Sequence, residues 1–315
     1  MPAPELLAIA AALCIAFNSI LIRELKGRLP LLQLTRWQMI GTFAMTGAVS
    51  LALGGWRTIG AWQFGMLALS SAFGIMLAST TYFATIYAVG PRITALLFSL
   101  TSPFALALGY VFLGETISLR QGLGVAMVLS GIVLAVGVPR RFLTRGAQKP
   151  PMAVVEPAPV PLSVEPAPPV TGRLWPGILL GLVTAFGQAL GTLFARPAMA
   201  AGVEPFSAMA LRAGLAAVFF YALLALPAVR AARVPFETKS FAMAIGTAFI
   251  GTTLGMSLIL AALHSGDVGI VSTLSSMTPV LVLPMVWLRT GIRPSAAAWI
   301  GALLAIAGTA LISIA

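Results

Sequence analysis

The sequence predicts an all-α membrane protein, with ten transmembrane helices in two inverted five-helix repeats. Three observations predict it. Apolar runs of membrane-spanning length follow one another along the chain, basic residues crowd the connections on one side of them, and the second half repeats the first at a fixed offset.

Apolar content sets the first constraint. Hydrophobic residues make up 59% of the chain and charged residues 9%, with a mean hydropathy of +1.00, against about 25% charged residues in soluble domains. A bilayer accepts such a chain, because each span takes roughly 20 apolar residues to cross a hydrocarbon layer about 30 Å thick. Runs bounded by charge, Gly and Pro lie at 5–22, 30–53, 62–88, 92–113 and 119–138, then at 174–195, 205–229, 240–263, 268–288 and 295–314. The first run holds the only cysteine, Cys14, after Ala11-Ala12-Leu13. Leu13 is not the small residue a lipoprotein cleavage site needs and no basic residue precedes the run, so Cys14 reads as a packing residue. Arg23, Lys26 and Arg28 follow the run, which marks a retained helix rather than a cleaved leader.

With ten spans the connections alternate between two sides of the membrane. Fourteen lysines and arginines fall on one side, and only Arg57, Arg120 and Arg196 on the other, while Arg36 and Arg212 lie inside spans. The positive-inside rule makes the crowded side cytoplasmic. Both termini are therefore expected outside the cytoplasm, in the cell (inner) membrane. The net charge of +11 is spread among these connections rather than massed on one face, so nucleic acid is not an expected partner. Residues 139–172 differ in kind: Pro157-Ala158-Pro159-Val160-Pro161 and Pro166-Ala167-Pro168-Pro169 predict a Pro-rich, disordered cytoplasmic linker between the two five-helix units, 1–138 and 173–315.

An offset of 176 residues aligns Arg36 with Arg212, Phe73 with Phe249, Gly90 with Gly266, Ser99 with Ser275 and Pro103 with Pro279. The matches fall at corresponding places in successive helices, so duplication is the economical reading. Five is odd, and the second copy must therefore enter the membrane from the opposite side. Inverted repeats build many secondary transporters, with the substrate site near the midplane between the halves.

The stretch Leu97-Phe98-Ser99-Leu100-Thr101-Ser102-Pro103, then Phe112-Leu113-Gly114-Glu115, Arg120-Gln121-Gly122-Leu123-Gly124 and Ser130-Gly131, resembles the EamA repeat of the drug/metabolite transporter superfamily. Ala210-Leu211-Arg212 resembles the Leu-Arg early in the second helix of such repeats. The resemblance spans nearly the whole chain except the linker. It implies ten helices, a central cavity and export of amino acids or related metabolites. Where the first repeat has Leu113-Gly114-Glu115 the second has Arg289-Thr290-Gly291, so whatever Glu115 does is done once.

Polar groups in hydrocarbon are costly, which makes those inside spans the candidate substrate-binding residues. In helix 9, Ser272, Ser275, Ser276 and Pro279 share one face by their spacing, and helix 4 mirrors them with Ser99, Ser102 and Pro103. Each proline frees a backbone carbonyl about a turn earlier. These faces either line a substrate path or allow close helix packing. Helix 6 places Thr184, Gln188 and Thr192 in one stripe, helix 1 offers Asn18, and helix 3 offers Ser79, Tyr82 and Tyr87. Arg36 and Arg212 follow first-turn prolines by about two turns. Each either anchors its helix by reaching toward the interface or holds a substrate carboxylate.

The acids lie at span ends, in short loops or in the linker, and no span has a carboxylate at its middle. Proton-driven export of organic cations is disfavoured on that ground, and neutral or zwitterionic cargo is favoured. His264, the only histidine, either titrates near neutral pH beside Asp267 or caps the end of helix 8 while Asp267 starts helix 9. An intramembrane enzyme needs paired catalytic groups at depth, which the sequence lacks. A channel or receptor is the other rival class. No cofactor or metal is expected. The expected partners are a small-molecule substrate and the lipid bilayer, with the chain a monomer or homodimer.

Overall fold

The computed structural model describes residues 4–24, 29–89, 97–136, 174–227, 235–290 and 295–313. The expected linker at 139–172 lies outside the described residues, which contain helices and turns and no strand. Helix α1 spans Pro4–Glu24 and α2 spans Leu31–Leu53. Helix α3 runs as Ala61–Ser71, a wide π-helical turn at Ala72–Leu77, and Ala78–Val89. Helix α4 covers Thr101–Leu108 and widens into a π turn at Gly109–Leu113, and α5 covers Leu119–Val136. In the second half α6 is Leu174–Ala200 and α7 is Pro205–Ala222. Helix α8 is Thr238–Thr247, a π turn at Ala248–Met256, then Ser257–Ala262. Helix α9 is broken into Val268–Ser275 and Thr278–Thr290, and α10 is Ala296–Ser313.

Among the described residues four helices are long and apolar enough to cross a membrane, Ala61–Tyr82, Trp175–Ala200, Pro205–Ala225 and Thr238–Ala262. Shorter apolar helices lie at Pro4–Asn18, Leu97–Leu113, Leu119–Leu134 and Ala296–Gly308. The outward faces stay apolar, with Leu119 and Leu288 more than 80% exposed. A soluble protein would bury such residues, whereas lipid solvates them.

Local sequence explains the ends of several helices. Helix α2 begins after Pro30 and stops at Gly54, whose φ of 67° is left-handed and favours glycine. Helix α7 begins with Pro205 at its first position. Glu204 caps it, accepting from the backbone N–H groups of Phe206 at 2.9 Å and Ser207 at 2.6 Å.

The two halves interlock helix by helix. Helix α1 packs on α8 and α3 on α6, while α2 meets α7, α4 meets α9 and α5 meets α10. At the α5–α10 seam the contact is reciprocal. A Cβ on Gly131 would lie 2.5 Å from the carbonyl oxygen of Gly301, and one on Gly308 would lie 2.5 Å from that of Gly124. Gly124 thus meets Gly308 while Gly131 meets Gly301, so the two helices run antiparallel with backbones in contact, as small residues permit in lipid. These glycines repeat at an offset of 177, one more than in the earlier helices. The wide turns of α3 and α8 begin at Ala72 and Ala248, 176 residues apart. Helices α4 and α9 break at corresponding places as well, just before Pro103 and Pro279, because proline cannot donate the amide that would continue the preceding turn.

Candidate functional site

A cavity of about 390 Å³ lies at the centre, bounded by helices of both halves. The wide turn of α3 supplies Gly74 and Ile75, and the helix beyond it Ser79 and Tyr82. Phe98 and Ser99 come from the helical turn just before α4 and Thr101 from its start, Gln188 and Thr192 from α6, and Ser272, Ser275, Ser276 and Thr278 from around the break in α9. Helix α2 adds Thr35, Gln38 and Met39, and Thr252 and Met256 come from the wide turn of α8. Among the described residues no lining residue carries a charge.

Several lining hydroxyls donate to backbone of their own helix. Ser275 donates to the Val271 carbonyl at 2.7 Å, Ser276 to Ser272 at 2.7 Å, Thr192 to Ala189 at 2.8 Å and Thr101 to Phe98 at 2.7 Å. A hydroxyl whose proton is taken in this way is left with lone pairs to accept. The cavity is therefore rich in acceptors, and Gln38 and Gln188 bring amide groups. Gln38 donates to Thr247 at 3.1 Å. The rings of Tyr82 and Phe98 meet edge to face at 5.6 Å.

Eight of the expected site residues, Ser79, Tyr82, Ser99, Gln188, Thr192, Ser272, Ser275 and Ser276, line this cavity. The others lie elsewhere. Ser102 is fully buried and its hydroxyl is hydrogen-bonded to that of Thr273 across the α4–α9 contact. Asn18 packs against Gly251, where a Cβ would lie 2.0 Å from its side-chain nitrogen. Pro103 sits outside the lining, and the side chains of Pro279 and Tyr87 lie outside the described residues. The carbonyl of Ser275, freed by Pro279, accepts from the hydroxyl of Thr278, itself a lining residue, at 3.0 Å. Arg36 and Arg212 are each only 4% exposed, so both are enclosed by protein. Thr35, Gln38, Thr101, Thr252 and Thr278 were not expected. Thr35 and Gln38 are three residues apart on α2, a polar pair that a search for helical stripes would have found.

One end of the bundle is tied by polar contacts between the halves. Both carboxylate oxygens of Glu115 lie 2.9 Å from the Val268 N–H, so Glu115 of the first half caps α9 of the second. Asp267 occupies the cap position by backbone, but its side chain makes no cap bond. Arg196 lies 3.9 Å from Glu115 and donates to the His264 carbonyl at 3.3 Å, while the His264 ring bonds the Met199 carbonyl at 2.7 Å. His264 therefore ties two connections of the second half, and the cap of α9 comes from Glu115. Burial pushes the Glu115 carboxyl above the ordinary range. The Val268 N–H opposes the shift, Asp267 adds to it, and Arg196 and the Gly269 N–H oppose it. At the same end Thr58 accepts from the Glu204 N–H at 3.1 Å, and the Ser207 hydroxyl donates to Glu204 at 2.6 Å.

Interlocked apolar helices around a central cavity between two halves make this a multi-pass membrane protein. The chain belongs to the EamA-like transporter family, whose model matches residues 3–137 and again 175–314. No curated protein matches it. A solved structure described only as the crystal structure of a protein shares the fold, with a TM-score of 0.76 and 18% sequence identity over 99% of this chain and 96% of the other.

Proposed function

We propose that the protein is a ten-span secondary transporter that exports small neutral or zwitterionic metabolites, such as amino acids, by alternating access. One observation carries the reading: the central cavity is walled by helices of both halves, is lined by hydroxyls and amides, and has no charged lining residue among the described residues. A rocking motion between inverted halves would expose such a site to each side in turn. The Glu115–Val268 contact lies on the side the charge count makes extracytoplasmic, and it joins one half to the other, so outward opening would part it.

Cargo is recognised in this reading by donors meeting the hydroxyl acceptors, with Tyr82 and Phe98 against an apolar portion. The residues assigned to it are Ser79, Tyr82, Ser99, Gln188, Thr192, Ser272, Ser275 and Ser276. Purified protein in liposomes is expected to show saturable counterflow of at least one member of a metabolite panel. Flux that rises linearly with concentration and shows no counterflow would indicate a channel instead. Cysteines placed at Ser163 and Ala315 test the orientation: an impermeant thiol reagent should label Ala315→Cys in intact cells and leave Ser163→Cys unlabelled.

A further inference from the structure

Arg212 is the charged side chain that this reading leaves without a task. It lies on α7, 4% exposed, and its carbonyl accepts from the Ser71 hydroxyl at 2.8 Å. Its Nε has no hydrogen-bond partner. Among the described residues no carboxylate pairs with it, and the one ion pair there joins Arg196 to Glu115. Arg36, its counterpart 176 residues earlier, already has a partner within the protein. A guanidinium enclosed at membrane depth without an anion is destabilising, and an anion supplied from outside the chain would relieve it.

The surroundings of Arg212 point to where that anion would come from. A Cβ on Gly74 would stand 3.2 Å from Nη2 of Arg212, and Gly74 itself lines the cavity. Met209, nearly a turn earlier on α7, and Thr192 of α6 line it too. A Cβ on Gly191, beside Thr192, would lie 2.4 Å from the Gly74 Cα, so α3 and α6 meet there without side chains. Nη2 of Arg212 thus lies beside Gly74, a residue of the cavity wall that puts no side chain between them.

We infer that Arg212 receives the carboxylate of the cargo at this corner, which makes the cargo a small carboxylic acid, zwitterionic or anionic, rather than an uncharged solute. The inference rests on the reading of the cavity as the cargo site. The planar guanidinium suits a carboxylate with two parallel hydrogen bonds. The hydroxyl acceptors of α6 and α9 remain for an ammonium or other donor on the same molecule.

Two measurements test it. The first is independent of cargo identity: removing an unpaired buried charge should stabilise the empty protein, so Arg212→Met is expected to raise the melting temperature in detergent. A structural anchor would give a lower one, and that result would overturn the assignment. The second is counterflow with matched pairs of carboxylic acids and their uncharged amides, of about two to ten carbons. Preference for an acid over its amide should be on the order of tenfold to a hundredfold. It should vanish in Arg212→Gln and survive in part in Arg212→Lys. Amides exchanging as well as acids, or acid preference persisting in Arg212→Gln, would overturn the inference while leaving the transporter reading intact. Absence of counterflow for every solute would instead defeat the transporter reading itself.

Discussion

Replacing Glu115 separates two effects that its environment combines. The side chain is 9% exposed, its two oxygens lie 2.9 Å from the Val268 N–H, and Arg196 is 3.9 Å away. In Glu115→Ala the cap bond is lost and a shielded N–H at the start of α9 is left without a partner, which costs about 2 kcal/mol. Glu115→Gln keeps an oxygen for Val268 and removes only the charge. Because burial outweighs the stabilising contacts and holds the carboxyl above its ordinary range, the charge is itself a burden, and Glu115→Gln should cost less than about 1 kcal/mol. The sign of the pH dependence follows. A carboxyl with a raised folded-state pKa contributes stability that is complete below about pH 4.3, the ordinary glutamate value, and is lost as pH rises through the higher folded value. Thermal unfolding in detergent from pH 4 to 8 should therefore show the wild type losing stability relative to Glu115→Gln as pH increases. A Glu115→Gln variant as unstable as Glu115→Ala, or a wild type that gains on it with rising pH, would refute the reasoning.

Other outcomes follow from particular contacts. Gly131→Ala places a methyl 2.5 Å from the Gly301 carbonyl oxygen and should destabilise the α5–α10 seam by about 1–3 kcal/mol. Gly122→Ala on the same helix meets nothing within 4 Å and should stabilise by about 0.5–1 kcal/mol, so equal melting temperatures for the two variants would contradict the seam. Tyr82→Phe keeps the edge-to-face contact with Phe98. It should raise the KM of a transported solute while changing stability by less than about 1.5 kcal/mol. Glu204→Ala removes the cap of α7 and should cost about 1–2 kcal/mol by thermal unfolding.

Helices and their repetition were legible in the sequence because they depend on local quantities: apolar run length, flanking charge, and matches such as Arg36 with Arg212. The serine face of α9 was legible for the same reason, since helical spacing alone puts Ser272, Ser275 and Ser276 together. What spacing cannot reveal is the partner across the face. Ser102 follows the same rule as Ser99, yet its hydroxyl meets Thr273 of the other half while Ser99 reaches the cavity. Glu115 has no counterpart in the second repeat, so its bond to Val268, 153 residues away, had no periodic signal to reveal it. The shift in offset to 177 before α10 broke the register in which Gly124 and Gly131 would have been matched with Gly301 and Gly308.

The wide turns of α3 and α8 also bear on the history of the molecule. A π turn is an irregularity with one residue too many for the α-helix around it, and this chain carries one at Ala72–Leu77 and another beginning at Ala248, the same point of each repeat. Two separate insertions at one place are a less economical account than a single insertion copied once. On that account the wide turn belonged to the repeat before it was duplicated. The α5–α10 seam, where equivalent glycines of two antiparallel copies meet, shows how one unit can complete itself against a second copy of its own kind.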